Sequence, residues 1–179
     1  MLRACRGCRH SNSQIRDVLL MLDARDDETF NVLFLCTGNS ARSQMAEALL
    51  RHLSKDGIEV YSAGSTPQAE VHPLAKETLE YRYGIETSAL YPKSMTAFLG
   101  DRFDYVITVC DRAAEACPVF PGDPERIHWS FEDPAAVEGE AARRRAFATV
   151  ANGIAGRLRV WMALPAVQQR LTAPAPTRA

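Results

Sequence analysis

From Asn31 onward the spacing of apolar residues switches repeatedly between two periods. Val32 to Leu35 is continuously apolar, the pattern of a strand covered on both faces, and Met45, Leu49, Leu50 and Leu53 then recur at helical spacing. Glu59 to Ala63 reads as a second strand closed by Gly64, and Pro73 to Tyr83 as a helix stopped by Gly84. Met95 to Leu99 predicts a short helix, Tyr105 to Val109 a third strand and Ile127 to Phe131 a weaker fourth. Phe147, Val150, Ile154, Leu158 and Trp161 form one apolar stripe on a last helix. Such alternation predicts an α/β fold, an open parallel four-stranded sheet with helices on both faces. Right-handed crossovers then bring all strand carboxyl ends to one edge, where ligands bind. Cys36 and Cys110 both end predicted strands, so one shared site is expected.

The ends of the chain differ from this core. Residues 1–29 begin basic and cysteine-bearing, carry a helical pattern at Ile15, Val18, Leu19 and Leu22, and turn acidic at Asp26-Asp27-Glu28. They read as an appended, peripheral or flexible segment ahead of a domain spanning 30–164. Cys5, Cys8 and His10 would supply half a zinc site, but no second ligand pair of suitable spacing follows, so no metal is expected. Residues 165–179 are rich in Ala, Pro, Thr and Gln and read as a flexible tail.

Composition narrows the function classes. The 179 residues suit one domain, and 21 basic against 22 acidic residues with no basic run exclude a nucleic-acid surface. The longest apolar runs, Val18 to Leu22 and Val32 to Cys36, are too short for a bilayer, and no cleavage pattern follows the first. A cytoplasmic protein away from membranes is therefore expected, and there five cysteines point to redox, catalytic or metal chemistry rather than structural disulfides.

The chemistry concentrates in Cys36-Thr37-Gly38-Asn39-Ser40-Ala41-Arg42-Ser43, where a strand turns into a helix. Unpartnered N–H groups and the positive end of the helix dipole meet at such a turn and suit a tetrahedral oxyanion. The same field is expected to lower the Cys36 pKa and make the sulfur a nucleophile, while Arg42 offers a fork for two anion oxygens. A buried core cysteine is the plainer alternative, but it would not require the glycine, arginine and serine beside it. Cys110 and Cys117 flank six good helix formers, and Pro118 ends the helix. Helical geometry holds their α-carbons about 10 Å apart, beyond the roughly 4.4–6.8 Å a disulfide needs. Bonding requires unwinding, so the pair reads as a redox-coupled switch, or else as two unrelated thiols. Asp133 precedes Pro134 in a rigid loop and suits an acid that keeps its proton above the anion; Glu132 is a less constrained alternative, and a plain Asp-Pro turn a third reading.

Together the Cys36–Ser43 run, the Cys110/Cys117 pair, Val60-Tyr61-Ser62-Ala63-Gly64 and His128-Trp129-Ser130-Phe131-Glu132-Asp133-Pro134 resemble the arsenate reductases built on the low-molecular-weight protein tyrosine phosphatase fold. The resemblance covers most of residues 31–164. It implies that Cys36 attacks arsenate held by the loop from Thr37 to Ser43, that Asp133 protonates the leaving hydroxyl, and that Cys110 and then Cys117 take over the disulfide. It further implies that Ser43 hydrogen-bonds the sulfur and that Asn39 braces the loop. An external thiol reductant would reset the enzyme: thioredoxin by preference, glutaredoxin with glutathione or mycothiol otherwise. Phosphate would compete, and a monomer is expected. Some relatives carry a potassium site whose positions match Asn39, Glu47 and Ser62; Lys93 stands where an aspartate would complete it, which implies no potassium requirement. Phosphatases of this fold usually carry tyrosines where Ala135-Ala136 stand. A phosphotyrosine or small-ester phosphatase, and a non-catalytic oxyanion or redox sensor, are the competing readings.

Overall fold

The computed structural model describes residues 30–54 and 57–172. β1 (Phe30–Cys36), β2 (Ile58–Gly64), β3 (Tyr105–Thr108) and β4 (Glu125–His128) form one sheet in the order β2-β1-β3-β4, every neighbouring pair parallel. Between and after them lie α1 (Arg42–Ser54), α2 (Pro73–Tyr83), α3 (Asp111–Glu115), α4 (Glu140–Met162) and α5 (Pro165–Thr172). Short 3-10 turns occupy Met95–Phe98 and Pro134–Ala136. The α/β class, the parallel sheet and the helical cover on its faces are as the apolar pattern predicts.

Period two along β1 sends alternate side chains to opposite faces. Phe30, with its register neighbourhood around Tyr105, meets Trp161 of α4 on one face, while Tyr61 meets Phe98 and Phe103 on the other. Residues Val32 to Cys36 are buried throughout, as a central strand requires. Cys36 pairs in register with Gly64, and β3 ends one residue before Val109-Cys110, so both thiols reach the same sheet edge. Gly84 ends α2 in the left-handed conformation at φ 66°, its N–H and that of Ile85 returning to Glu80 and Leu79.

Three boundaries differ from expectation. β4 runs Glu125–His128 rather than Ile127 to Phe131; as an edge strand it is mostly exposed, so little apolar alternation marks it. The short helix expected over Met95 to Leu99 ends at Phe98 and is of the 3-10 kind, started by the Ser94 hydroxyl accepting from Thr96 N–H. The third concerns the tail, because α5 continues the fold through Thr172. Proline at its first position forfeits no intrahelical bond, Val167 is wholly buried, Leu171 packs on the core, and Arg170 pairs with Asp104 at 3.0 Å. Its Ala, Pro and Gln content hid two apolar residues four positions apart. The remainder of the expected tail, 173–179, and the whole of 1–29 with Cys5, Cys8 and His10 lie outside the described residues. No helix among the described residues is long and apolar enough to cross a membrane.

Val167→Ala should lower unfolding free energy by about 1–3 kcal/mol through lost burial and a residual cavity. Urea denaturation followed by far-UV circular dichroism reads this directly, and a midpoint equal to the parent's would mean that α5 is not docked.

Candidate active site

The loop after β1 is held from outside. Ser65 N–H donates to Cys36 O, Thr66 to Thr37 O, Gln68 to Gly38 O and His72 to Ser40 O, at 3.2, 2.9, 2.9 and 2.8 Å. In a planar trans peptide the carbonyl and the next N–H point in opposite directions. Outward carbonyls at Thr37, Gly38 and Ser40 therefore turn the N–H groups of Gly38, Asn39 and Ala41 inward, over the start of α1. Gly64 makes this close approach possible, since a Cβ there would stand 2.6 Å from Thr37 O.

Asn39 is the hub beneath. It takes φ 44°, a left-handed conformation that asparagine tolerates better than most residues. Its side-chain amide donates to Ser43 Oγ and Ser62 Oγ at 2.8 Å each, and its oxygen accepts from Gln44 Nε2 at 3.0 Å and Lys93 N–H at 2.7 Å. The side chain is wholly buried and fully engaged, so Asn39 shapes the loop through its side chain and faces Cys36 with its backbone.

The Cys36 sulfur accepts from Asn39 N–H at 3.0 Å and lies 2.9 Å from Ser43 Oγ, a hydroxyl that can donate to it. Both contacts favour the thiolate. Burial opposes them: at 3% exposure, loss of water pushes the thiol pKa up, and the hydrogen bonds of Ser43 and Asn39 pull it down without reversing the shift. The expectation of a lowered pKa in the loop alone is thus corrected. Desolvation of the sulfur outweighs its donors.

Around the sulfur opens a cavity of about 870 Å³ whose walls include Cys36, Arg42, Cys110, Asp111 and Asp133. Arg42 projects from the first turn of α1, donates to Phe131 O at 3.0 Å and pairs with Asp133 at 3.2 Å. Asp133 is half-exposed and also accepts from Ala135 N–H at 3.1 Å, the cap of the Pro134–Ala136 turn. Cys110 lies 3.5 Å from Thr37 Oγ1 and is buried. Cys117 is not brought in. It sits beyond the far end of α3, half-buried, its Sγ–H donating to Pro118 O at 3.7 Å; burial pushes its pKa up while Arg126 pulls it down. All three are free thiols.

The family model for the low molecular weight phosphotyrosine protein phosphatases matches residues 31–172. An arsenate reductase of Halalkalibacterium halodurans is 42% identical over 108 residues, 60% of this chain and 76% of that protein. One of Shouchella clausii is 39% identical over 129 residues, 72% of this chain and 91% of that protein. Among solved structures, a thioredoxin-dependent arsenate reductase of Corynebacterium glutamicum superposes with a TM-score of 0.61 at 33% identity, covering 87% of this chain and 72% of that one. This chain belongs to the low molecular weight phosphotyrosine protein phosphatase family, in the branch that includes arsenate reductases.

Several parts of this family member's site carry no local motif. The Ser65–His72 segment that turns the loop carbonyls outward shows only as polar residues after Gly64. His72 caps α2 by accepting from Leu74 N–H at 3.1 Å, stacks on Phe147 at 4.6 Å between centroids, and lines the cavity. Its burial and the charge of Arg143 hold its pKa down, against a smaller upward pull from Asp133. Glu47, nearly buried, accepts from Ser62 Oγ–H and pairs with Lys93 at 3.1 Å and Arg51 at 2.7 Å. Removing one donor from the sulfur isolates its effect. In Ser43→Ala, the pH midpoint of Cys36 alkylation by iodoacetamide should rise by about one pH unit over the parent, the worth of one hydrogen bond to a charged group. An unchanged midpoint would place the Ser43 hydroxyl outside the control of this thiol.

Proposed function

We propose that this chain reduces arsenate to arsenite in the cytoplasm by a three-thiol relay. The observation that carries this reading is a second thiol, Cys110, in the wall of the cavity that holds Cys36, with a third at the far end of the helix that follows it. Ester hydrolysis needs neither.

Arsenate dianion entering the loop meets inward N–H groups and takes the Cys36 proton, leaving thiolate and monoanion. Arg42 is near enough to exchange its Asp133 partner for an anion oxygen. Sulfur attacks arsenic, the As–O bond to one hydroxyl breaks, and Asp133, released by Arg42 and open to solvent, relays a solvent proton that lets it depart as water. Cys110 then attacks the Cys36 sulfur, its thiol proton passing to an oxygen of the departing arsenite: an S–S bond forms, the S–As bond breaks, and its electron pair reduces arsenic from the pentavalent to the trivalent state. Cys117 thiolate next attacks Cys110 and frees Cys36, once α3 unwinds to close the distance. A dithiol donor of the thioredoxin class takes the last disulfide by exchange, which accords with the thioredoxin dependence of the Corynebacterium neighbour.

The cavity rim also accords with a small inorganic anion. Ala135 and Ala136 line it, and one face of the Phe131 ring is taken up by α4, with Arg157 4.5 Å from its centroid. Arsenite release, measured with purified chain and each thiol donor in turn, tests the reading. Cys110→Ser should release none, and Cys117→Ser about one equivalent per chain before stopping, since one disulfide can still form between Cys36 and Cys110. Sustained turnover in either variant would overturn the relay, while hydrolysis of a phosphate ester should survive both.

The donor set does not fit a resident potassium ion. The Lys93 ammonium already stands 3.1 Å from Glu47 and donates to Tyr91 O at 3.2 Å, beside Asn39 and Ser62. Replacing sodium by potassium at constant ionic strength should leave turnover unchanged, and a clear rise in steady-state rate would contradict this.

A further inference from the structure

α3 is five residues long and poorly secured at its start. Cys110 occupies its N-cap position without a side-chain cap, and Ala113 is the buried residue in it. One imidazole compensates. His128, the last residue of β4, lies 2.8 Å from Thr108 Oγ1 through Nδ1 and 3.0 Å from Asp111 Oδ1 through Nε2. A carboxylate only accepts, so Nε2 carries a proton and donates to Asp111, while Nδ1 and the Thr108 hydroxyl share the second hydrogen bond. Ser130 holds the same carboxylate, whose pKa is pulled down first by Ser130 and then by His128. Thr108 and Asp111 bracket Val109-Cys110, so the imidazole grips the chain on both sides of the thiol.

We propose that His128 is a positioning residue: by bridging Thr108 and Asp111 it keeps the first turn of α3 wound, holds the Cys110 sulfur toward the Cys36 loop, and limits how fast Cys117 can reach Cys110. The inference deepens the relay reading and rests on it for its role in turnover. The clamp itself is testable without arsenate. In reduced full-length protein, diamide takes two electrons and two protons from Cys110 and Cys117 as their S–S bond forms. The rate is read by quenching, alkylation and peptide mapping of that pair.

His128→Ala should speed this closure by roughly threefold or more, the factor one net hydrogen bond is worth. Asp111→Ala should do the same, and the double variant should add nothing further. His128→Gln, which keeps an N–H donor for Asp111, should return most of the way to the parent rate, a rescue that general destabilisation would not produce. A parent-like rate in both alanine variants, or an additive double variant, would overturn the clamp. Should arsenite fail to appear with every donor while the acceleration and rescue hold, the clamp stands and the arsenate reading falls.

Discussion

The loop around Cys36 works only because its carbonyls are taken by the segment from Ser65 to His72. A tight turn left to itself would direct some carbonyl oxygens toward its own centre, where they would repel an oxyanion and face no donor. Each outer hydrogen bond contributes about 0.5–1.5 kcal/mol net. The larger effect is geometric, because a planar peptide that turns its oxygen out must turn the next N–H in. The inward N–H groups are therefore set by an outer belt of donors as much as by the loop itself. Gly64 belongs to this belt, since only a residue without Cβ lets β2 approach Thr37 so closely.

Beneath the loop, the buried charge of Glu47 is matched by opposite charges and a hydroxyl donor. Glu47 is about as buried as the aliphatic core, and a carboxylate there is tolerable only with cations and donors in contact. Lys93 and Arg51 supply two positive charges and Ser62 a hydroxyl, and Ser62 passes the connection to Asn39. The chain from Glu47 to Asn39 fixes the left-handed residue that puts an N–H on the Cys36 sulfur. The same buried setting that orders the loop also desolvates the thiol and pushes its pKa up against its two donors.

How much of this could be read along the chain follows from the range of each interaction. β1, α1, α2 and α4 were legible because their apolar spacing records burial on faces of known period, and Cys36, Arg42 and Ser43 because the loop is contiguous. That Cys36 and Cys110 share an edge follows from parallel strands joined by right-handed crossovers, with each cysteine at a strand's carboxyl end. β4 and α5 are obscured along the chain because exposure or composition masks a few buried residues, Val167 above all. The Arg42 to Asp133 pair and the His128 bridge join residues 91 and 17 positions apart, and no local spacing encodes either. The rise in the Cys36 pKa was invisible for a related reason: the sequence displays the donors, whereas desolvation belongs to the assembled core.

The placement of the thiols also explains why the weakest helix of the fold lies where it does. An isolated helix needs about 12–15 residues to be even marginally stable in water, and α3 has five, without a side-chain cap. It is kept by tertiary contacts, the burial of Ala113 and the carboxylate of Asp111, rather than by its own ladder. Unwinding it sacrifices few backbone bonds and no large apolar side chain. Had α4 joined the two thiols, with Phe147, Ile154 and Trp161 buried along it, the same motion would dismantle the core. The relay proposed for these thiols needs one of them on rigid ground and the next on ground that yields cheaply. Cys110, at the hinge between β3 and α3, belongs to both.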